Sequence, residues 1–477
     1  MQLRRASPAC GLALLLAANA GDLAVPLTTP TGTVAAQERQ PAPTGGQTVT
    51  AISGATVLGA GGSPIPNAVV VIEGSRITRV GPAATTAIPS NATVIDAKGR
   101  FVIPGLADMH NHVRSGSFRA QQNPLTVMTV LLAFGVTMVF DPSLTTEEFS
   151  TLKQSSASDA AAMPRFFGTG PIVTVKGDIL GAQVGAPTPE SAADARAAVK
   201  ALKAAGVDAI KVARDDFSWA SKQRASTMPL DVLSALVSAA HDEGLKVYAH
   251  APLLQHAKDV LRAGADGLLH GIIDRPVDQE LIDLLLRNRA VYVPTLSLYE
   301  DVADVASWAR RQSSHDERRV VSPIADGFTS PAAVQQFEAF FNNTSFTKEQ
   351  LATQRGNLKR IFDARVPVVM GTDSGFFGIM MGVSSQIELA LMVEAGLTPE
   401  AALSTATINA ARMIGRDKDY GSIEPGKAAD LLILDADPLA DINNVRRIYR
   451  VVRGGTVHDP AQLLNGFRIT GPGGARN

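Results

Sequence analysis

The chain is nearly free of cysteine: 477 residues contain one thiol, Cys10. One sulfur can build neither a disulfide framework nor a thiolate metal site. Lipid attachment at Cys10 is disfavoured too, because most of the neighbouring apolar run follows it. Aromatic residues are scarce, at 5%, within a hydrophobic total of 45%, so any large core must be mostly aliphatic. No sign of charge dominates: 44 Lys and Arg face 45 Asp and Glu, for a net charge of −1. That balance removes the electrostatic case for nucleic acid or an anionic membrane surface as partner. No apolar run is long enough for a membrane-spanning helix. The expected partner is a small-molecule substrate, with homo-oligomerisation left open.

The N-terminus differs in character from the rest. Arg4 and Arg5 precede an apolar run from Ala9 to Ala18, and Ala18-Asn19-Ala20 offers a small-x-small cleavage site. That order predicts a secretory signal peptide over 1–20, and hence an exported protein, periplasmic or extracellular. A later cut after Ala36 also fits, whereas a twin-arginine address is poorly matched. Residues 21–47, rich in Pro, Thr, Gly and Ala, read as a flexible linker.

From Val49 to Ile103, short β-rich runs are split by turn residues: Ala51–Leu58, Ala68–Glu73, Arg76–Val80 and Thr93–Asp96. Two more runs, Ala429–Leu434 and Ile448–Val452, lie near the far end. A small β-sandwich built from both ends of the chain, 48–103 with 418–470, is expected. Between them strand and helix patterns alternate, the signature of a parallel sheet with crossover helices. Eight candidate strands are Val102–Asp108, Val136–Phe140, Arg165–Gly168, Ala209–Ala213, Lys246–Ala249, Gly267–Leu269, Val291–Pro294 and Val366–Gly371. The predicted architecture of 104–417 is an α/β (β/α)8 TIM barrel. Its helices include Ala193–Ala205, Pro229–Glu243 and Pro399–Ile414, the last N-capped by Thr398. The mixed stretch from Glu300 to Lys348, with Phe337, Phe340, Phe341 and Phe346, is a candidate lid.

Charged and imidazole residues recur at the ends of these strands. His110 and His112 follow the first, and their spacing of two points both imidazoles to the same side. Lys211 sits inside Ala-Ile-Lys-Val-Ala, where an ammonium cannot remain buried, charged and unpaired. His250 closes the fifth strand, His270 the sixth, and Asp373 the eighth. Each has a bland reading: a surface pair, a snorkelling lysine, a satisfied core histidine, a turn aspartate. Together they occupy the face where barrel enzymes assemble their sites, and a joint metal site is the reading that accounts for all six. Beside cations a lysine loses its proton readily, and the neutral amine can take up carbon dioxide as an anionic carbamate. His241, His256, His315 and His458 fall on helix patterns or loops and are assigned no role.

The run Pro104-Gly105-Leu106-Ala107-Asp108-Met109-His110-Asn111-His112 resembles the first-strand motif of the amidohydrolase superfamily. Gly371-Thr372-Asp373 is similar to its eighth-strand motif, and Gly421 to Leu431 to the segment that re-enters the β-sandwich. The likeness extends from Val49 to Pro460 and is greatest to the branch with a strand-four lysine, which includes imidazolonepropionase-like and prolidase-like hydrolases. It implies two divalent metal ions, usually zinc. His110, His112 and Asp373 would bind the first, His250 and His270 the second, and Lys211, as its carbamate, would bridge them with a hydroxide. Two departures concern substrate loops: Arg214-Asp215-Asp216-Phe217-Ser218-Trp219 replaces a Gly-rich stretch, and Leu268-Leu269-His270-Gly271 replaces Ile-Glu-His-Gly.

The expected reaction is hydrolysis of an amide or peptide-type C–N bond, of an N-acyl amino acid or dipeptide, with Asp373 moving the proton. Lactones, cyclic amides and phosphoesters are alternatives on the same site. Arg214 is a candidate partner for a substrate carboxylate, unless it merely pairs with Asp215 or Asp216. Tyr299, Phe376 and Phe377 are candidates for an apolar wall. A mononuclear deaminase needs no strand-four lysine and wants a Glu after strand five, where this chain has Ala251-Pro252-Leu253-Leu254. A non-catalytic exported binding protein would be expected to have lost ligands, and none is missing.

Overall fold

The computed structural model describes residues 48–59, 63–113, 124–178, 180, 186–220, 224–340, 347–376 and 378–465. The expected leader and linker, together with Phe341, Phe346 and Phe377, lie outside the described residues. The strands come in three groups. β1 (Val49–Val57), β2 (Ile65–Glu73), β3 (Arg76–Pro82), β4 (Thr93–Asp96) and β5 (Phe101–Pro104) come first. β6 (Leu106–Asp108), β7 (Val136–Asp141), β8 (Arg165–Gly168), β9 (Ala209–Ala213), β10 (Lys246–His250), β11 (Gly267–Leu269) and β12 (Val291–Val293) alternate with helices. β13 (Leu431–Leu434), β14 (Ile448–Arg453) and β15 (Thr456–His458) follow.

The first and last groups form one mixed eight-stranded sheet, ordered β15-β14-β13-β5-β1-β2-β3 with β4 beside β1. Its two chain ends meet where β13 runs antiparallel to β5, Leu432 opposite Ile103. Ile52, Val70, Ile72, Ile77, Val102, Leu431 and Ile433 pack together on this sheet as one aliphatic core. The middle group forms two parallel sheets, β6-β7-β8 and β12-β11-β10-β9. Burial on both faces explains their near-continuous apolar runs, such as the fully buried Val136–Asp141. Isolated parallel bridges extend their edges: Val173 with Val212, and Tyr292 with Val368.

Three expected elements are divided differently. Val102–Asp108 is two strands, β5 and β6, that belong to different sheets. The handover occurs at Gly105, whose N–H donates to Asp430 O at 2.9 Å while Leu106 N–H donates to Gly135 O at 3.0 Å. A side chain at Gly105 would collide with Thr137. Val366–Gly371 forms no ladder; it is held by the Val368 bridge and by Met109 N–H donating to Met370 O at 3.0 Å. The helix over 399–414 is broken into Pro399–Thr405 and Ile408–Met413. Its Thr405 and Ala406 carbonyls accept instead from Met370 and Ala107, so the helix gives up two acceptors to hold strand ends. The stretch after β12 is helical where described, with Leu296–Ala303, Val305–His315 and Pro331–Phe340, and buries Val305, Trp308 and Phe337 in the main core. Among the described residues no helix is long and apolar enough to cross a membrane.

A half-buried ion pair joins the parallel strands to the mixed sheet. Arg165 of β8 donates Nε to Asp430 Oδ2 at 2.6 Å and Nη2 to Oδ1 at 3.2 Å, and Gly454 N–H donates to Oδ1 at 2.7 Å. Removing the carboxylate leaves the half-buried guanidinium with Asp159 alone, whose Oδ1 lies 2.9 Å from Nη1. Asp430→Ala should therefore lower the unfolding free energy by about 2 kcal/mol, read from urea denaturation. A loss below about 1 kcal/mol would mean the pair behaves as a surface contact.

Candidate metal centre

The C-terminal ends of β6, β9, β10 and β11 and the 371–375 turn bring the six residues singled out in the sequence to one place. In the β9–β10 register Lys211 lies opposite Tyr248, so alternation turns Lys211, Tyr248 and His250 to the same face. His110 Nε2 and His112 Nε2 both approach Asp373 Oδ1, at 3.2 Å and 2.8 Å. The His110 and His270 rings are 4.7 Å apart, and those of His250 and His270 4.4 Å. Donor atoms of His110, His112 and Asp373 lie within 4.8 Å of one another, a spread that one cation can gather.

Backbone chemistry sets this geometry. Thr372 and Asp373 N–H groups donate to His110 O, and His112 N–H donates to Ser374 O at 2.8 Å. Asp373 is held at φ +61°, in the left-handed region, which turns its carboxylate back toward the imidazoles. Gly375, at φ +92°, passes so near that a Cβ there would strike the His112 carbonyl. Asp108 is fully buried and accepts from Asn111 Nδ2 at 3.1 Å, Thr372 Oγ1 at 2.8 Å and Ser385 Oγ at 2.8 Å.

The electrostatics are those of a site that wants cations. Burial, with Lys211 nearby, pushes the His110 imidazolium down to about 3, so this ring is a neutral donor. Burial pushes His112 down as well, but Asp141 and Asp373 outweigh it and hold the ring up at about 9. The two rings share one Asp373 oxygen, and His112 has a second carboxylate, Asp141, to favour its protonated form. Burial raises the Asp373 carboxyl, yet the two histidines overcome that and keep it ionised. Burial lowers the Lys211 amine to about 7. Among the described residues that amine forms no hydrogen bond or ion pair, although Lys211 is only 2% exposed. His110 Nδ1 is likewise buried and without a partner among the described residues. A neutral His110, an ionised carboxylate and an uncommitted amine, with a His112 that gives up its proton on ligating, make a donor set suited to divalent cations.

Several residues that sequence reasoning did not assign orient these donors. Asp141 lies 3.6 Å from His112 Nδ1, behind the nitrogen that faces Asp373. It sits one residue past the expected end of its strand, so the strand-end rule that found the others extends to it. Thr295, at φ +46°, is 3.1 Å from His270 Nδ1. Glu388 fixes that turn by accepting from Leu296 and Ser297 N–H and from Ser297 Oγ, each at 2.7 Å. The signal for Glu388 was a carboxylate set among apolar residues in the middle of a helix, Val383–Glu394.

The candidate substrate contacts fare unevenly. Arg214 does not pair with Asp215 or Asp216. It donates Nε and Nη2 to Asp259 Oδ2 at 3.0 Å and 2.7 Å, and Nη1 to Met228 O. With its fork committed to Asp259, the reading of Arg214 as a carboxylate anchor is withdrawn. Tyr299 is buried beside the site, its ring 6.5 Å from His270 and 5.9 Å from Trp219. Phe376 lies three residues after Asp373 and packs against the main core.

Comparison with known proteins agrees with this picture. An imidazolonepropionase from Geobacillus kaustophilus is 37% identical over 115 residues, 22% of this chain. The match spans 26% of that relative, about a quarter of its length. A dihydroorotase from Pelotomaculum thermopropionicum is 26% identical over 413 residues, covering 81% of this chain and 88% of the relative. A solved putative prolidase from Bifidobacterium longum superposes with a TM-score of 0.70 at 26% identity, over 88% of this chain and 99% of that one. Residues 101–457 match the model of the Amidohydrolase family, three quarters of the chain, and the protein belongs to that family.

Proposed function

We propose that this protein is a metal-dependent hydrolase that cleaves an amide or peptide-type C–N bond, of an N-acyl amino acid or dipeptide-like substrate, with two divalent cations, zinc by donor type. The observation that carries the reading is the buried, uncommitted Lys211 amid His110, His112, His250, His270 and Asp373. The same reading takes β6 to β12 and the 366–371 run as the eight strands of a (β/α)8 barrel, and the mixed sheet as a small β-sandwich domain. The Val173–Val212 and Tyr292–Val368 bridges and the Met109–Met370 hydrogen bond support closure. The cluster then occupies the C-terminal face, as barrel enzymes require. Export directed by residues 1–20 belongs to the same reading.

His110, His112 and Asp373 would hold one cation, His250 and His270 the other, and the carbamate of Lys211 both. Bound cations acidify a water and polarise a carbonyl. The rest falls to the side chains. Asp373, kept ionised by its two histidines, takes the proton of the attacking water and returns it to the leaving nitrogen. Lys211 must be neutral to add carbon dioxide, losing one proton as the N–C bond forms. Its amine, lowered to about 7 by burial, is neutral above that pH and protonated below it.

Metal loading should therefore follow Lys211. Metal-free protein given zinc and bicarbonate at pH 8 should take up two equivalents per chain. At pH 6, or at pH 8 without carbon dioxide, the second should bind much more weakly; equal loading in all three conditions would remove the carbamate from the account. Asp373→Asn should lower kcat by roughly 10²- to 10⁴-fold while the protein still binds metal, measured on a panel of N-acyl amino acids, dipeptides, lactones and phosphotriesters. Full activity in that variant would discard Asp373 as the proton carrier.

A further inference from the structure

The segment after β9 places a second carboxylate against the site. Asp215 has a side chain with no exposure, and four groups crowd its two oxygens. Oδ2 accepts from Trp219 Nε1 at 2.8 Å and lies 3.0 Å from His250 Nε2. Oδ1 accepts from Phe217 N–H at 3.0 Å, and His256 Nδ1 stands 4.0 Å away. The same short loop holds Phe217 at φ +53°, which stacks its ring on His250 at 5.7 Å and 28°. Trp219, anchored by Asp215, meets Tyr299, which in turn faces His270.

An ionised carboxylate here has acceptors enough for all of these donors. Its effect on His250 is specific. A carboxylate opposite Nε2 stabilises the tautomer that carries its proton on Nε2, and the lone pair is then left on Nδ1. The stacked Phe217 ring fixes the plane of that imidazole.

We infer that Asp215 is a positioning residue for the second cation: it sets the tautomer and plane of His250 and ties both to the aromatic loop of Phe217 and Trp219. The inference rests on the two-cation reading above. It gives the Arg214–Trp219 sequence a function in this chain, since the loop carries the orienting carboxylate and the ring that stacks on its histidine. The physical contrast with an amide is sharp. An Asn at 215 offers one acceptor oxygen and one donor NH2 to three N–H groups, so one N–H must face another donor whichever way the amide is turned.

The test compares zinc binding by the wild type and by Asp215→Asn, using competition with a chromophoric chelator. The wild type should hold two tight equivalents. Asp215→Asn should keep one tight equivalent and bind the second 10- to 100-fold more weakly, the usual cost of losing such a partner. Two equivalents of unchanged affinity in both proteins would overturn the role of Asp215. Fewer than two in the wild type would overturn the two-cation reading itself. A second measurement needs no variant at position 215. In zinc-loaded wild type labelled with 15N-histidine, with the His250 signals assigned by their loss in His250→Ala, the ring proton should reside on Nε2. A proton on Nδ1 would overturn the inference, including in the case where Asp215→Asn does not fold.

Discussion

Asp108 is a carboxylate with no exposure, and donors from three distant stretches converge on it. The His110 amide and Asn111 side chain come from its own strand end, Thr372 offers both its amide and its hydroxyl, and Ser385 reaches in from the Val383–Glu394 helix. Burial alone would push this carboxyl toward its neutral form, and the converging donors are what oppose that. The constraint fixes where the first strand ends relative to the 371–375 turn. His110, His112 and Asp373 are placed by it without themselves being part of it. Leaving such a group unsatisfied is costly, so the site geometry is inherited from a polar network that the fold cannot easily relax.

Polar partners behind the donors give three of the four rings a defined orientation. His112 has Asp141 behind it, His250 has Asp215, and His270 has Thr295. In each case that partner engages one ring nitrogen, which is how proteins commonly select the ligating one, and His112 turns its other nitrogen, Nε2, to Asp373 at 2.8 Å. Lys211 stands apart because nothing described pairs with it. A buried amine with no partner is an expensive feature in a protein that needs only to fold. Its presence in the midst of four imidazoles and a carboxylate is the strongest sign that the pocket was built around chemistry.

Much of this was legible in the sequence because period-two alternation and strand-end placement are local signals. Arg165–Gly168, Ala209–Ala213 and Gly267–Leu269 stand in the structure with the bounds their apolar runs suggest. The six cluster residues follow from the same signal, one strand end at a time. Pairings that depend on distant chain were not legible. That Arg214 spends its charge on Asp259, forty-five residues on, has no counterpart in the local pattern. The break of the 399–414 helix arises because Met370 and Ala107 claim its carbonyls, again a tertiary demand. The handover at Gly105 between two sheets is invisible to hydrophobicity, since β5 and the first two residues of β6 are apolar.

The claim on which the account turns is that one pocket holds a pair of cations joined through Lys211. Anomalous scattering at the zinc edge, from crystals of the zinc-loaded protein, measures this directly. The account predicts two peaks about 3.5–4 Å apart, one against His110, His112 and Asp373 and the other against His250 and His270, with density for a carboxylated Lys211 between them. A single peak, or an unmodified Lys211 turned away from both, would contradict it.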